Sequence, residues 1–295
     1  MSTQAKVSDL QARLEAAGYV AERALAATLL LFSELRRPLL LEGDAGVGKT
    51  EVAQVLARVF DCPLIRLQCY EGLDVNAAVY EWNYQHQLLA IRLLEQSHTN
   101  PETAEHQIFS EKYLLKRPLL DAITRAEPPV LLIDEIDRAD EEFEAFLLEL
   151  LSDFQVSVPE LGTIRATSRP YVVLTSNGTR ELSDALRRRC LYHYVEYPDF
   201  DKELRIVNAR LPEVGPRLAR QVVEFVQGLR GRDLRKQPGI AETLDWAEAL
   251  LKLDVASLDQ DRDALDDSLA CLLKTREDRA GLAGADIDRL VARAV

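Results

Sequence analysis

Residues 43–50 read Gly43-Asp44-Ala45-Gly46-Val47-Gly48-Lys49-Thr50 and fit the pattern GxxxxGK[ST]. Each part has a chemical reason. Glycines let backbone N–H groups turn inward around phosphate oxygens, and a following helix points its positive end at them. The Lys49 ammonium is a point charge for β and γ phosphates, and the Thr50 hydroxyl is a ligand for Mg²⁺. All eight residues are therefore candidate ATP contacts. A chance glycine-rich turn could carry the same letters, but this one lies between an apolar run, Pro38 to Glu42, and helical spacing from Thr50 to Phe60. A phosphate loop requires that context.

The second feature is Val130-Leu131-Leu132-Ile133-Asp134-Glu135, an apolar strand ending in adjacent carboxylates. Ligands of parallel sheets bind outside the carboxyl ends of the strands. Asp134 is thus placed to hold Mg²⁺, and Glu135 to orient and activate an attacking water. Taken alone, the pair could equally cap the next helix. Beside a phosphate loop it favours hydrolysis over phosphoryl transfer to a metabolite, which has less need of a water-activating glutamate.

The elements that must position these groups follow from the pattern. Strands are predicted at Pro38–Glu42, Leu64–Gln68, Val130–Ile133 and Tyr171–Thr175, with helical stretches between them, so the sheet should be parallel and doubly wound. Ser8 is the expected N-cap of a first helix carrying Leu10, Leu14 and Ala17, and Ala21 to Leu35 reads as a second. A hairpin is expected within Val158–Arg169. Beyond Pro198 the pattern is helical to the end, placing a boundary near residue 200.

Bulk properties narrow the function. The 295 residues suit one large domain and a small one, and 47% apolar content is that of a globular protein. A net charge of −13 with no evident basic face argues against nucleic acid as the main partner. Cys62, Cys69, Cys190 and Cys271 form no CxxC pair, so reduced thiols in a cytoplasmic protein are expected rather than a zinc site or disulfides. The N-terminus lacks a signal-peptide layout, and the most apolar stretch, Ala24 to Phe32, falls short of the ~18–20 residues of a membrane span. His86, His98 and His106 show no ligand-like spacing.

Longer motifs carry a resemblance. Asp134-Glu135-Ile136-Asp137-Arg138-Ala139 with Phe146-Leu147-Leu148-Glu149, and Leu174-Thr175-Ser176-Asn177 with Leu182-Ser183-Asp184-Ala185-Leu186-Arg187-Arg188-Arg189, resemble the AAA+ ATPases of the MoxR family. The likeness covers residues 25–200 well and the remainder loosely, and within the family it looks closest to the CoxD-like branch. It implies an α/β P-loop AAA+ parallel-sheet domain over residues 1–200, then a small all-helical lid over 201–295. It implies Mg²⁺-dependent ATP hydrolysis in a ring, a hexamer, that remodels a protein client. A von Willebrand factor A-domain partner and a metalloenzyme client belong to the same implication.

By that resemblance Asn177 is the first sensor, at the end of its strand, although Asn177-Gly178 also reads as a turn. Arg189 is the finger offered to a neighbouring subunit, with Arg188 second. A guanidinium is planar, permanently charged and able to contact two oxygens, which suits it to transition-state charge. The bland alternative, a solvated basic face or a salt-bridge partner for the many carboxylates, is expected to apply to one of the three arginines. The second-sensor arginine of relatives is missing: Gln237-Pro238-Gly239-Ile240-Ala241 has none after its proline, which leaves Arg235 or Lys236, or no residue, in that role. Relatives carry a ring-facing insertion near Tyr80, Trp82 and Tyr84, whose alternation would put them on one face of an extended hairpin, gripping a client or simply packed. Two rival functions stay open: a low-turnover nucleotide switch or scaffold, and a DNA-acting AAA+ loader.

Overall fold

The structure is a computed structural model that describes residues 2–96, 100, 107–159, 161–282 and 284–295. His98 and His106 lie outside the described residues. The chain divides into two compact units, one of Ala27–Glu42 and Leu56–His193, the other of Met1–Ala26, Gly43–Val55 and Tyr194–Val295.

The first unit is built on a five-stranded parallel sheet, whose strands lie in the order Leu64–Gln68, Val130–Asp134, Tyr171–Ser176, Leu39–Glu42 and Leu191–Tyr194. Its strands are β1 (Leu39–Glu42), β2 (Leu64–Gln68), β5 (Val130–Asp134), β8 (Tyr171–Ser176) and β9 (Leu191–Tyr194). β5 is buried at all five positions, because a central parallel strand is covered on both faces. That is why it reads as an unbroken apolar run rather than an alternating one. The core packs Leu40, Leu131, Ile133 and Leu174 of the sheet against Leu119, Ile123, Phe143 and Leu147 of the helices Pro118–Thr124 and Glu141–Asp153.

Two small antiparallel sheets flank this core. In the first, β3 (Tyr80–Trp82) pairs with β4 (Leu114–Lys116). Trp82 is buried and meets Tyr80 and Phe109 edge to face at 6.2 and 5.3 Å. Tyr84 departs from the expected shared face: it opens the helix Tyr84–Gln96 and is 63% exposed. Asn83 explains the switch, since its side chain accepts a hydrogen bond from the His86 N–H, the pattern that starts a helix. The second sheet pairs β6 (Gln155–Val158) with β7 (Gly162–Arg165), earlier than the hairpin expected at Val158–Arg169. Phe154, at φ 48°, ends the preceding helix abruptly, so the strand begins at once.

The second unit begins with the helix Thr3–Ala16. Its cap is Ser2, whose hydroxyl accepts from the Ala5 N–H at 3.3 Å; Ser8 lies mid-helix and exposed. The helices Phe200–Arg210, Pro216–Arg230, Ile240–Lys252, Arg262–Ser268 and Gly284–Ala294 share their own core around Phe225 and Trp246, whose rings lie 4.8 Å apart. Within that core stands a buried ion pair, Arg230 with Glu203. Arg230 reaches both Glu203 oxygens at 2.6 and 2.7 Å, and Thr243 and Gln227 donate to the same carboxylate at 2.7 Å each. Four hydrogen bonds offset the desolvation of a carboxylate that has no exposure.

Removing the cation alone would leave that charge buried. Arg230→Met is expected to destabilise the helical region by about 3–5 kcal/mol, seen as lost hydrogen-exchange protection over residues 200–252 with protection of β5 and β8 retained.

Candidate nucleotide site

The phosphate loop follows β1 without a linker, and the helix Lys49–Phe60 starts on its last two residues. Lys49 is buried, and its ammonium donates to the carbonyls of Gly43 at 2.7 Å and Asp44 at 2.6 Å. The charge is therefore held inside the loop, near where phosphates would sit. Thr50 lies in the first turn of that helix. Asp44, Ala45 and Gly46 are exposed, whereas Gly43 and Val47 are buried and anchor the loop.

Gly46 is the point where the loop meets the helical region. It sits at φ +82°, a left-handed conformation that L side chains rarely adopt. Its carbonyl accepts the Ile240 N–H at 2.9 Å, and a Cβ on Gly239 would lie 2.6 Å from that oxygen. Two backbones touch here, so a side chain at 239 has no room. Position 239 is used for backbone contact with the loop. Glu242 accepts the Gly239 N–H at 3.0 Å, and Arg230 donates to the Pro238 carbonyl at 2.7 Å, fixing both sides of the contact. Next to it lies a cavity of about 800 Å³ lined by Asp44, Ala45, Gly46, Tyr197, Arg235 and Lys236 among others. The Arg235 and Lys236 backbone N–H groups donate to Asp278, and the Arg235 guanidinium pairs with Glu277 at 3.4 Å.

At the carboxyl end of β5, Asp134 and Glu135 are organised by Thr175 of β8. The Thr175 hydroxyl donates to Asp134 Oδ1 at 2.6 Å and accepts the Glu135 N–H at 2.9 Å. Arg66 of β2 donates to Asp134 Oδ2 through Nε at 3.0 Å. Glu135 stands at φ 56°, ψ 51°, and its carboxylate caps nothing: Gln68 donates to it at 3.0 Å and Arg138 at 3.2 Å. A non-glycine residue in this region is strained by about 1–3 kcal/mol and is characteristic of sites that aim a side chain. Asp137 is buried and ties in β8: its carboxylate accepts the backbone N–H of Asn177 at 3.2 Å and of Thr179 at 3.0 Å, plus the Thr179 hydroxyl at 2.6 Å. Burial alone would raise the Asp137 pKa, but these hydrogen bonds outweigh it and hold the carboxyl below its usual range. Beneath them, Cys69 is pushed up to about 12 by burial and then by Asp134, so its thiol stays protonated.

Residues 38–190, more than half of the chain, match the AAA domain (dynein-related subfamily). The chain belongs to the AAA domain family. As an AAA domain it is an AAA+ ATPase, of a family that generally hydrolyses ATP. An uncharacterized protein of Staphylococcus aureus strain USA300 is 26% identical over 231 residues, covering 75% of this chain and 78% of its own. The counterpart in the bovine strain RF122 / ET3-1 is 27% identical over the same coverage.

In this AAA domain the arginine run forms the helix Asp184–Arg189, capped by Ser183. Its three arginines part company. Arg187 turns inward to Glu42 at 2.5 Å, a pairing that raises its pKa, and so is the salt-bridge partner expected of one of the three. Arg188 and Arg189 are exposed, with Arg189 Nε donating to Ser152 at 2.8 Å. Sequence reading missed Arg66, Gln68, Thr175 and Gly239 as site residues. A signal existed for Gln68, a polar residue closing an apolar strand. The stretch around Gly239 was singled out only for lacking an arginine, and its neighbour Gly46 is 193 positions away in the chain.

Thr175→Val keeps the shape of the strand but removes the hydroxyl shared by Asp134 and Glu135. A loss of about 1–3 kcal/mol in stability and a sharp fall in ATP turnover are expected, read by thermal unfolding and phosphate release. Gly239→Ala should weaken binding of a fluorescent ATP analogue at least several-fold, whereas Gly215→Ala, where a Cβ meets nothing within 4 Å, should not.

Proposed function

We propose that this AAA+ ATPase is of the MoxR type, a ring-forming remodelling chaperone that uses ATP hydrolysis to act on a protein client. Residues 1–200 form its nucleotide-binding domain and 201–295 its helical lid. Gly43 to Thr50 hold the nucleotide, Glu135 and Asn177 position the water, and Arg189 with Arg188 reach the nucleotide of a neighbouring copy in a hexamer.

The observation that carries hydrolysis is Glu135. Its side chain makes no cap to the following helix and is aimed by a strained backbone and two donors. A role in protein handling is supported by the helix Tyr84–Gln96, where Tyr84, Leu88, Leu89 and Leu93 are each about 58–63% exposed. Apolar side chains grouped in this way mark contact surfaces for other proteins. The resemblance to the CoxD-like branch extends the proposal to a von Willebrand factor A-domain partner and to maturation of a metalloenzyme client. A cytoplasmic setting belongs to the same proposal; none of the helices described is long and apolar enough to cross a membrane.

The donors fit Mg²⁺. Thr50 and Asp134 offer oxygen ligands, and no set of three or more His, Cys, Asp or Glu is gathered into a cage among the described residues. A hard cation would then complete its shell from phosphates and water, the usual arrangement for this ion. Bound there it neutralises charge on the phosphate oxygens.

One observation favours a second reading, a low-turnover nucleotide switch: the Glu135 carboxylate is already engaged by Gln68 and Arg138 and must be released to act. Affinity capture with Glu135→Gln distinguishes the two. This variant should bind ATP, hydrolyse it slowly and retain a client only with ATP present, while that client accelerates wild-type turnover. Retention without any such acceleration would favour the switch, and ATP-dependent retention of DNA would revive the loader.

A further inference from the structure

We propose that Glu42 and Arg187 form a clamp through which the nucleotide state of one copy sets the arginines it offers to the next; the inference rests on the reading of Arg189 as a finger acting in trans. Glu42 is the last residue of β1, immediately before the phosphate loop. Arg187 sits two residues before Arg189 on a helix of six residues. The two side chains pair at 2.5 Å with Glu42 19% and Arg187 36% exposed, so the contact is largely shielded from water. The Arg187 guanidinium lies over the Tyr192 ring at 5.7 Å, and Tyr192 itself donates to the other Glu42 oxygen at 3.4 Å.

The opposite end of β1 is tied to the same helix. Arg37, two residues before the strand, donates to the Arg188 carbonyl at 2.9 Å, and the Leu191 N–H donates to the Pro38 carbonyl at 2.7 Å. The strand that feeds the phosphate loop is therefore fastened to the arginine helix both before its first residue and at its last. A shift at the loop end of this four-residue strand, which is also paired with β8 along its length, would therefore reach that helix through Glu42.

The signal would start at Lys49. Its ammonium now donates to the Gly43 and Asp44 carbonyls, and phosphate oxygens would compete for it. Releasing the Gly43 carbonyl loosens the peptide that follows Glu42. The displacement would pass through Glu42 to Arg187 and so to Arg188 and Arg189, which are exposed. Glu42 and Arg187 are thus positioning residues, acting through the arginines that would touch the neighbour's nucleotide.

Subunit doping tests the clamp. Lys49→Ala copies, with intact arginines but impaired nucleotide binding, are titrated into wild-type copies at constant total concentration, and turnover per wild-type copy is measured. With the clamp intact an empty copy withholds its arginines, so an equal mixture should lose roughly half of that turnover. Lys49→Ala copies that also carry Glu42→Gln should cost much less, because their arginines no longer depend on their own nucleotide. Arg187→Met in the same background is the second variant, and gel filtration confirms that each still assembles. Equal losses with and without the clamp residues overturn the proposal. No loss from Lys49→Ala copies, alongside a loss from Arg189→Ala copies, also overturns it and leaves the trans arginine standing. No loss from either sinks the reading of Arg189 together with the clamp.

Discussion

The parallel register of the sheet is the constraint on which the rest of this molecule depends. Gln68 of β2 lies opposite Asp134 of β5, and Glu42 of β1 lies opposite Ser176 of β8. Four strands thus expire at one edge within a residue of each other. Because parallel strands run the same way, β5, β8 and β2 deliver their next residues, Glu135, Asn177 and Cys69, to that edge. A slip of one residue in any ladder would turn its side chains to the opposite face and scatter the set.

Polar groups at such an edge are costly unless each is paired, and the way they are paired decides what they can do. Thr175 serves Asp134 and the Glu135 backbone with a single hydroxyl, while Asp137 collects two N–H groups and a hydroxyl from the segment after β8. Asp134 and Asp137 therefore hold the acidic turn and the end of β8 in one network. Such networks are rigid when every member is satisfied. The strain at Glu135 persists because the surrounding bonds over-determine it.

The helical region follows a different logic. Its contact with the phosphate loop is made of backbone on backbone, at Gly46 and Gly239, and the side chains that matter stand behind it. The Arg230–Glu203 pair reaches through the Pro238 carbonyl to hold the contact in place. A buried ion pair of this kind adds little net stability over an apolar pair but is exacting about geometry. That suits an element whose use is to keep two glycines in register.

The phosphate loop, the acidic strand end, the parallel α/β class and the helical C-terminal region were legible in the sequence, because each rests on neighbouring residues: a local pattern of glycines, an apolar run, a helical period. The same locality misled at Ser8, a good cap residue overtaken by Ser2, and at Tyr84, where Asn83 starts a helix in the midst of an alternation. What only tertiary structure decided is which distant residues meet. Gln68 against Glu135, Arg187 against Glu42 and Gly239 against Gly46 are separated by 67, 145 and 193 positions in the chain. Pairings of that kind carry no periodic trace, because they are set by strand order and by how the core closes, and composition is silent on both.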